Sequence, residues 1–161
     1  MRKRQGSDVI DFLKDIIYKD KQVLEDGAHI TVKKIFNFRE RGNIDFGGGE
    51  YKECEIAEIN PEEHSVDDKY GWWRLEEGEY LIEYNEKLED SIPEGDIIII
   101  QPAKRLIMNG AYHPTLIVGE SGCIRTILYV GENGLNIKEN ARISKLLILT
   151  EDILESEGGK F

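Results

Sequence analysis

Near the start of the chain the apolar residues Val9, Ile10, Leu13, Ile16 and Ile17 recur at the spacing of one helical face. Ser7 stands where an N-cap belongs and Asp8 suits the positive end of a helix, so the pattern predicts one amphipathic helix ending near Tyr18. Beyond it the period shortens. β-Branched and aromatic residues gather in nine short runs: "HITVKKIFNF", "NIDF", "EYKECEIAEI", "GEYLIEYN", "DIIIIQP", "TLIV", "IRTILYV", "GLNI" and "RISKLLIL". Such runs, separated by turn residues, predict a mainly β fold of the sandwich, jelly-roll or barrel kind.

The connectors agree with this reading. "RGN" at 41–43 and "GGG" at 47–49 supply positions that tolerate positive φ, and "ENG" at 132–134 is a hairpin signal. The stretch from Glu50 to Asp68 holds eight acids against one lysine, the composition of a solvated edge hairpin and loop. Its acids have no EF-hand-like order. The last residues, "ESEGGKF", are polar and glycine-containing, so residues 1–154 are expected to form one domain and 155–161 a flexible tail.

A chain of 161 residues with 40% hydrophobic residues has room for one domain with a real core. The net charge of −11 repels the phosphates of nucleic acids and the surface of an anionic bilayer, so neither is expected as a partner. A local cluster of Lys and Arg can still hold a small phosphorylated molecule against that field. Cys54 and Cys123 are far apart in sequence and form no CxxC or Cys/His pattern, so no metal-ligand set is assigned. The longest apolar runs are about four residues, too short for a membrane span, and a cytoplasmic location is expected.

Five segments, taken in order, resemble the dUTPase and dCTP deaminase superfamily, and most closely its archaeal-type dUTPases. They are "LEDGAHITVKKIFNF", the "NIDF" hairpin, "WWRLEEGEYLIEYNEKL", "IPEGDIIIIQPAKRLIMNGAYHP" and "NGLNIKENARISKLLIL". The resemblance runs over nearly the whole chain. It implies a distorted jelly-roll β-barrel with one N-terminal helix, assembled as a homotrimer whose sites are shared between neighbouring subunits. It also implies the chemistry of the family dUTPases, attack of an activated water on the α-phosphate with Mg²⁺ held by the phosphates.

The family's functional positions depart from its pattern in this chain. The water-activating Asp falls on Ile117, Val118 or Gly119, depending on how "GESG" is aligned, and Glu120 is the nearby carboxylate. Glu120 is therefore the candidate catalytic residue, against the plainer reading of an exposed hairpin acid. His29 occupies the place of an Asp associated with the metal. Pro102 of the phosphate-binding motif is kept, but Ala103, Lys104 and Arg105 replace its Arg-Ser-Ser; Arg142 and Ile143 of the closing motif are kept, and Lys145 replaces its Gln. Lys104, Arg105, Arg142 and Lys145 are thus candidate anion ligands, and Asn109, Tyr112 and His113 candidate ligands for a base. A deaminase's catalytic Glu would fall near Ile127.

The expected function is a divergent dUTPase-fold protein that binds a deoxynucleotide or other phosphorylated ligand with little or no dUTP hydrolysis. Two alternatives stand beside it: an active diphosphatase with relocated residues, which would need Mg²⁺, and a trimeric interaction module without a small ligand.

Overall fold

The computed structural model describes residues 1–90 and 92–151; the predicted tail at 155–161 lies outside the described residues. In chain order the elements are β1 (Arg2–Lys3), α1 (Gly6–Val9), β2 (Leu13–Lys14), α2 (Lys19–Gln22), β3 (Ala28–Phe38), β4 (Ile56–Glu58), β5 (Trp72–Leu75) and β6 (Gly78–Leu88). They continue with β7 (Ile97–Pro102), α3 (Lys104–Ile107), β8 (Ala111–Tyr112), β9 (Leu116–Val118), β10 (Gly122–Val130), β11 (Leu135–Lys138) and β12 (Arg142–Thr150). The order β8-β10-β6-β3-β12-β7-β9 forms one curled sheet, entirely antiparallel, with β1, β2 and β4 added at β12, β6 and β3. β5 and β11 pair separately.

Alternation places the core. Ile30 and Val32 on β3, Ile82 and Tyr84 on β6, Ile98 and Ile100 on β7, and Leu146 and Ile148 on β12 are fully buried. Each buried aliphatic side chain of this size contributes about 1.5–3 kcal/mol, so these strands, more than local propensity, hold the fold. The intervening residues of β7 and β12 lie on the other face and pair across the strands, Ile97 with Leu149, Ile99 with Leu147, and Ile99 with Ile117 of β9; Leu147 is buried there, while Ile97, Ile99 and Leu149 are half-buried and Ile117 is exposed. The result is an apolar stripe on the outer face.

Three expectations need correction. The N-terminal helix is one turn, Gly6–Val9, followed by a 3-10 turn at Ile10–Phe12; it does not reach Tyr18. Leu13 leaves it to pair with Leu88, and the Glu89 amide donates to the Phe12 carbonyl, so sheet pairing wins over a helix that is costly to nucleate. Gln5, not Ser7, is the residue at the N-cap, with no side-chain cap bond. "NIDF" is not a strand: the Asp45 carboxylate accepts from the amides of Gly48 and Glu50, folding 45–50 into a turn, and Ile44 and Phe46 stand in solvent. "ENG" turns the chain with Gly134 at φ +71°, but it joins β10 to β11, which lie in different sheets and do not pair.

Candidate functional site

His29 and Lys145 are direct cross-strand partners on β3 and β12, and Gln101 of β7 is the partner of Lys145 on its other side. Arg142 opens β12, while Arg105 comes from α3, which is tied to the same strand by the Ala103 amide donating to the Ile143 carbonyl at 2.8 Å. Burial holds the His29 imidazole below the usual histidine range, and the charges of Arg142, Arg105 and Lys145 push it the same way. Three of the four predicted cations therefore act on His29, and Lys145 is its direct neighbour across the sheet. Lys104 stands exposed on the same turn of α3 as Arg105 and is not among the charges acting on His29.

These cations differ in freedom. The Lys145 ammonium sits 2.8 Å from Asp26, which also accepts from Lys3 at 3.1 Å; the hydrogen bonds from the two lysines lower the Asp26 pKa to about 2. Arg142 donates one N–H to the Lys21 carbonyl at 2.8 Å, leaving most of its five donors. Lys104 and Arg105 have no charged or hydrogen-bonded side-chain partner among the described residues. His29 Nδ1 is buried and also lacks a partner, while the His29 carbonyl accepts from Gln22. Such a cluster can bind an anion through charge-assisted bonds.

Arg105 and Arg142 also rim a cleft of about 200 Å³ between α3, the β5–β11 pair and the start of β12. Its floor is Leu106, Leu135, Ile137 and Ile143, its wall is Trp72, and Asn109, Asn136 and Lys138 complete the edge. The Lys138 ammonium lies over the Trp72 ring, 5.6 Å from its centroid. Asn109 spends its amide N–H on the Arg105 carbonyl at 2.7 Å.

The other predicted residues lie apart. His113 is only 2% exposed: its Nδ1 donates to the Pro114 carbonyl at 2.8 Å, which leaves Nε2 to accept from the Ser144 hydroxyl at 2.7 Å. Ser144 in turn accepts from the Tyr84 hydroxyl at 2.6 Å. Burial keeps the His113 pKa low, so this is a neutral network inside the barrel, pinning the segment after β8 to β6 and β12. Tyr112 is exposed and stacks on Tyr129 at 5.0 Å. Glu120 is exposed in the bend between β9 and β10, and Ile117, one of the three positions onto which the family's Asp can be aligned, is 76% exposed. Near this hairpin Glu83 is held in an ion pair: burial raises its pKa, but the Arg125 guanidinium at 2.8 Å brings it below the usual range.

Sequence reasoning had not assigned Trp72, Asn136 and Lys138 to a site. A signal was present, because consecutive tryptophans on a strand point to opposite faces. Trp73 goes to the core, its indole donating to the Ile59 carbonyl at 2.8 Å, and Trp72 is left at the surface.

No family model matches the chain. It is 31% identical, over 91% of its length and 82% of the relative's, to a probable deoxyuridine 5'-triphosphate nucleotidohydrolase of Methanosarcina mazei. A protein of the same name from Methanococcoides burtonii is 28% identical over 92% of this chain and 86% of its own. Among solved structures, a 2'-deoxycytidine 5'-triphosphate deaminase from Agrobacterium tumefaciens superposes with a TM-score of 0.64 at 12% identity. That match covers 92% of this chain and about half, 48%, of the deaminase, and it shows the fold alone.

Proposed function

This chain belongs to the dUTPase and dCTP deaminase superfamily, and from that premise we propose that it is a divergent member, binding a deoxynucleotide or similar phosphorylated ligand with little or no dUTP hydrolysis. One observation carries the reading: Lys145 pairs with His29 across the sheet, and Arg105 and Arg142, which share one cleft rim, add their charges nearby, in a protein of net charge −11. The phosphates of the ligand sit against these cations, with Lys104 as a further donor at the edge. The hydrolytic step lacks its base, because Ile117 and Val118 cannot orient water and Glu120 stands in the exposed bend beyond them.

The residues around His29 do not fit a Mg²⁺ ion held by the protein. Their charge is positive, and the carboxylate beside them, Asp26, is engaged by two lysines. Magnesium would enter only on the phosphates of a bound nucleotide. The apolar outer stripe of Ile97, Ile99, Ile117 and Leu149, half-buried or exposed in the single chain, supports assembly as a homotrimer, the subunits burying what one chain leaves open. Lys145 lies on the same face of β12 as Leu147, so a neighbour seated on the stripe would border the cations.

The test is thermal. Inorganic pyrophosphate and dUTP should each raise the melting temperature, and added salt should weaken the effect. No shift from either at millimolar concentration would remove the reading and leave a trimeric interaction module. The relatives' names favour a second reading, a working diphosphatase with Glu120 as relocated base, and pyrophosphate release separates the two.

A further inference from the structure

The cleft beside the cations has a composition that the phosphates do not explain. Its apolar lining is five aliphatic side chains, Ala141 with the four of the floor, and an indole wall, whereas the charged groups, Arg105, Lys138 and Arg142, stand at the rim. An anion alone gains nothing from an apolar floor. At about 200 Å³ it is smaller than the ~300–1,000 Å³ that holds a drug-sized ligand, which suits one ring system and not a whole nucleotide. Arg105 and Arg142 belong both to this rim and to the cluster around His29, so cleft and cations are one continuous surface.

We infer that the cleft between α3 and the β5–β11 pair takes the heteroaromatic ring of the ligand, stacked along Trp72, with its phosphates running out over Arg105 and Arg142. A planar ring of nucleobase class satisfies the apolar floor and the indole together. The Asn136 side chain, which has no hydrogen-bond partner among the described residues, offers an amide to the ring's polar edge. Lys138, now over the indole, is exposed and long enough to give way to the ring and follow the phosphates. The ring would then be bound away from the 113–122 hairpin, consistent with His113 being buried and Tyr112 already stacked on Tyr129. This inference rests on the anion-site reading.

The protein carries its own reporter. Trp73 is buried and Trp72 is not, so a ligand that stacks in the cleft changes the emission of one tryptophan against a constant background from the other. Intrinsic fluorescence is titrated with pyrophosphate and with a panel of deoxynucleoside triphosphates, and affinities are measured in parallel by calorimetry. Nucleotides should quench the emission and bind more tightly than pyrophosphate, which should bind without quenching. Trp72→Leu should weaken nucleotide binding roughly five- to 150-fold while leaving pyrophosphate binding within about twofold, and Trp72→Phe should recover part of the loss. If nucleotides and pyrophosphate bind equally and neither alters the emission, the stacking inference is overturned while the anion site stands. If nothing binds, both fall. The wild-type titration decides even if Trp72→Leu does not fold.

Discussion

Replacing Arg142 with methionine removes a charge that belongs to the cleft rim and to the His29 cluster, and keeps most of the side-chain length. In the folded protein it also breaks one bond, from Nη1 to the Lys21 carbonyl at 2.8 Å. A single bond of this kind at a partly exposed position contributes about 1 kcal/mol, which lowers the melting temperature of a domain this size by about 2–4 °C. The variant should therefore fold. A charged hydrogen bond to a bound phosphate is worth about 1.5–3 kcal/mol, or roughly a ten- to 150-fold loss of pyrophosphate or dUTP affinity. Calorimetric titration at low salt measures that loss. The imidazole of His29 gives a second readout, independent of any ligand. Arg142 is one of the charges that lower its pKa, so the His29 pKa followed by NMR should rise in Arg142→Met. An affinity unchanged within twofold together with an unmoved His29 titration would show that Arg142 solvates the surface and takes no part in a site.

Ile99→Glu places a carboxylate in the middle of the outer stripe, opposite both Leu147 and Ile117, and should convert a trimer to monomers of about 18.5 kDa by light scattering; a wild type already monomeric would defeat the assembly proposal. Glu86 is fully buried and accepts from Gln22, the Thr31 amide and the Thr31 hydroxyl, so Glu86→Ala leaves three buried donors without an acceptor and should cost about 3–5 kcal/mol in denaturant unfolding; a loss under about 1 kcal/mol would refute that network. Asp26 has its pKa lowered from 3.8 to about 2, so the stability from its lysine contacts is fully present above the unfolded value and is lost as pH falls through about 2. The stability difference between wild type and Asp26→Asn should accordingly shrink from pH 4 to pH 2, and a constant difference would argue against the pairing.

The long strands were legible because their residues alternate and their inner positions are large aliphatics. β3, β6, β10 and β12 lie within two residues of the runs read from sequence at their starts and three at their ends. The N-terminal segment was misread because Val9, Ile10 and Leu13 are buried in either case, and their burial does not distinguish a helix from a turn that delivers Leu13 to Leu88. "NIDF" looked like a strand because its apolar pair is spaced for one, but the carboxylate of Asp45 turns the backbone locally. The placement of Arg105, Arg142 and Lys145 near one another was legible through the motifs that carry them, because α3 is tied to β12 by the bond from the Ala103 amide to the Ile143 carbonyl. The burial of His113 was not legible, since its partners Tyr84 and Ser144 lie 29 and 31 positions away and meet it only through strand order. The Trp72 cleft depends on the β5–β11 pairing, which joins segments that no local pattern links.

Steady-state pyrophosphate release from dUTP and Mg²⁺ tests the central claim most directly. A typical working enzyme turns over at about 10 s⁻¹, and losing a positioned general base costs about 10²–10⁴-fold. On the proposal that the water-activating position, aligned on Ile117, Val118 or Gly119, has lost its carboxylate, this protein is expected to release pyrophosphate below about 0.1 s⁻¹ under conditions where dUTP raises its melting temperature. Turnover of about 1 s⁻¹ or more would contradict the account, and its loss in Glu120→Gln would then identify Glu120 as the base.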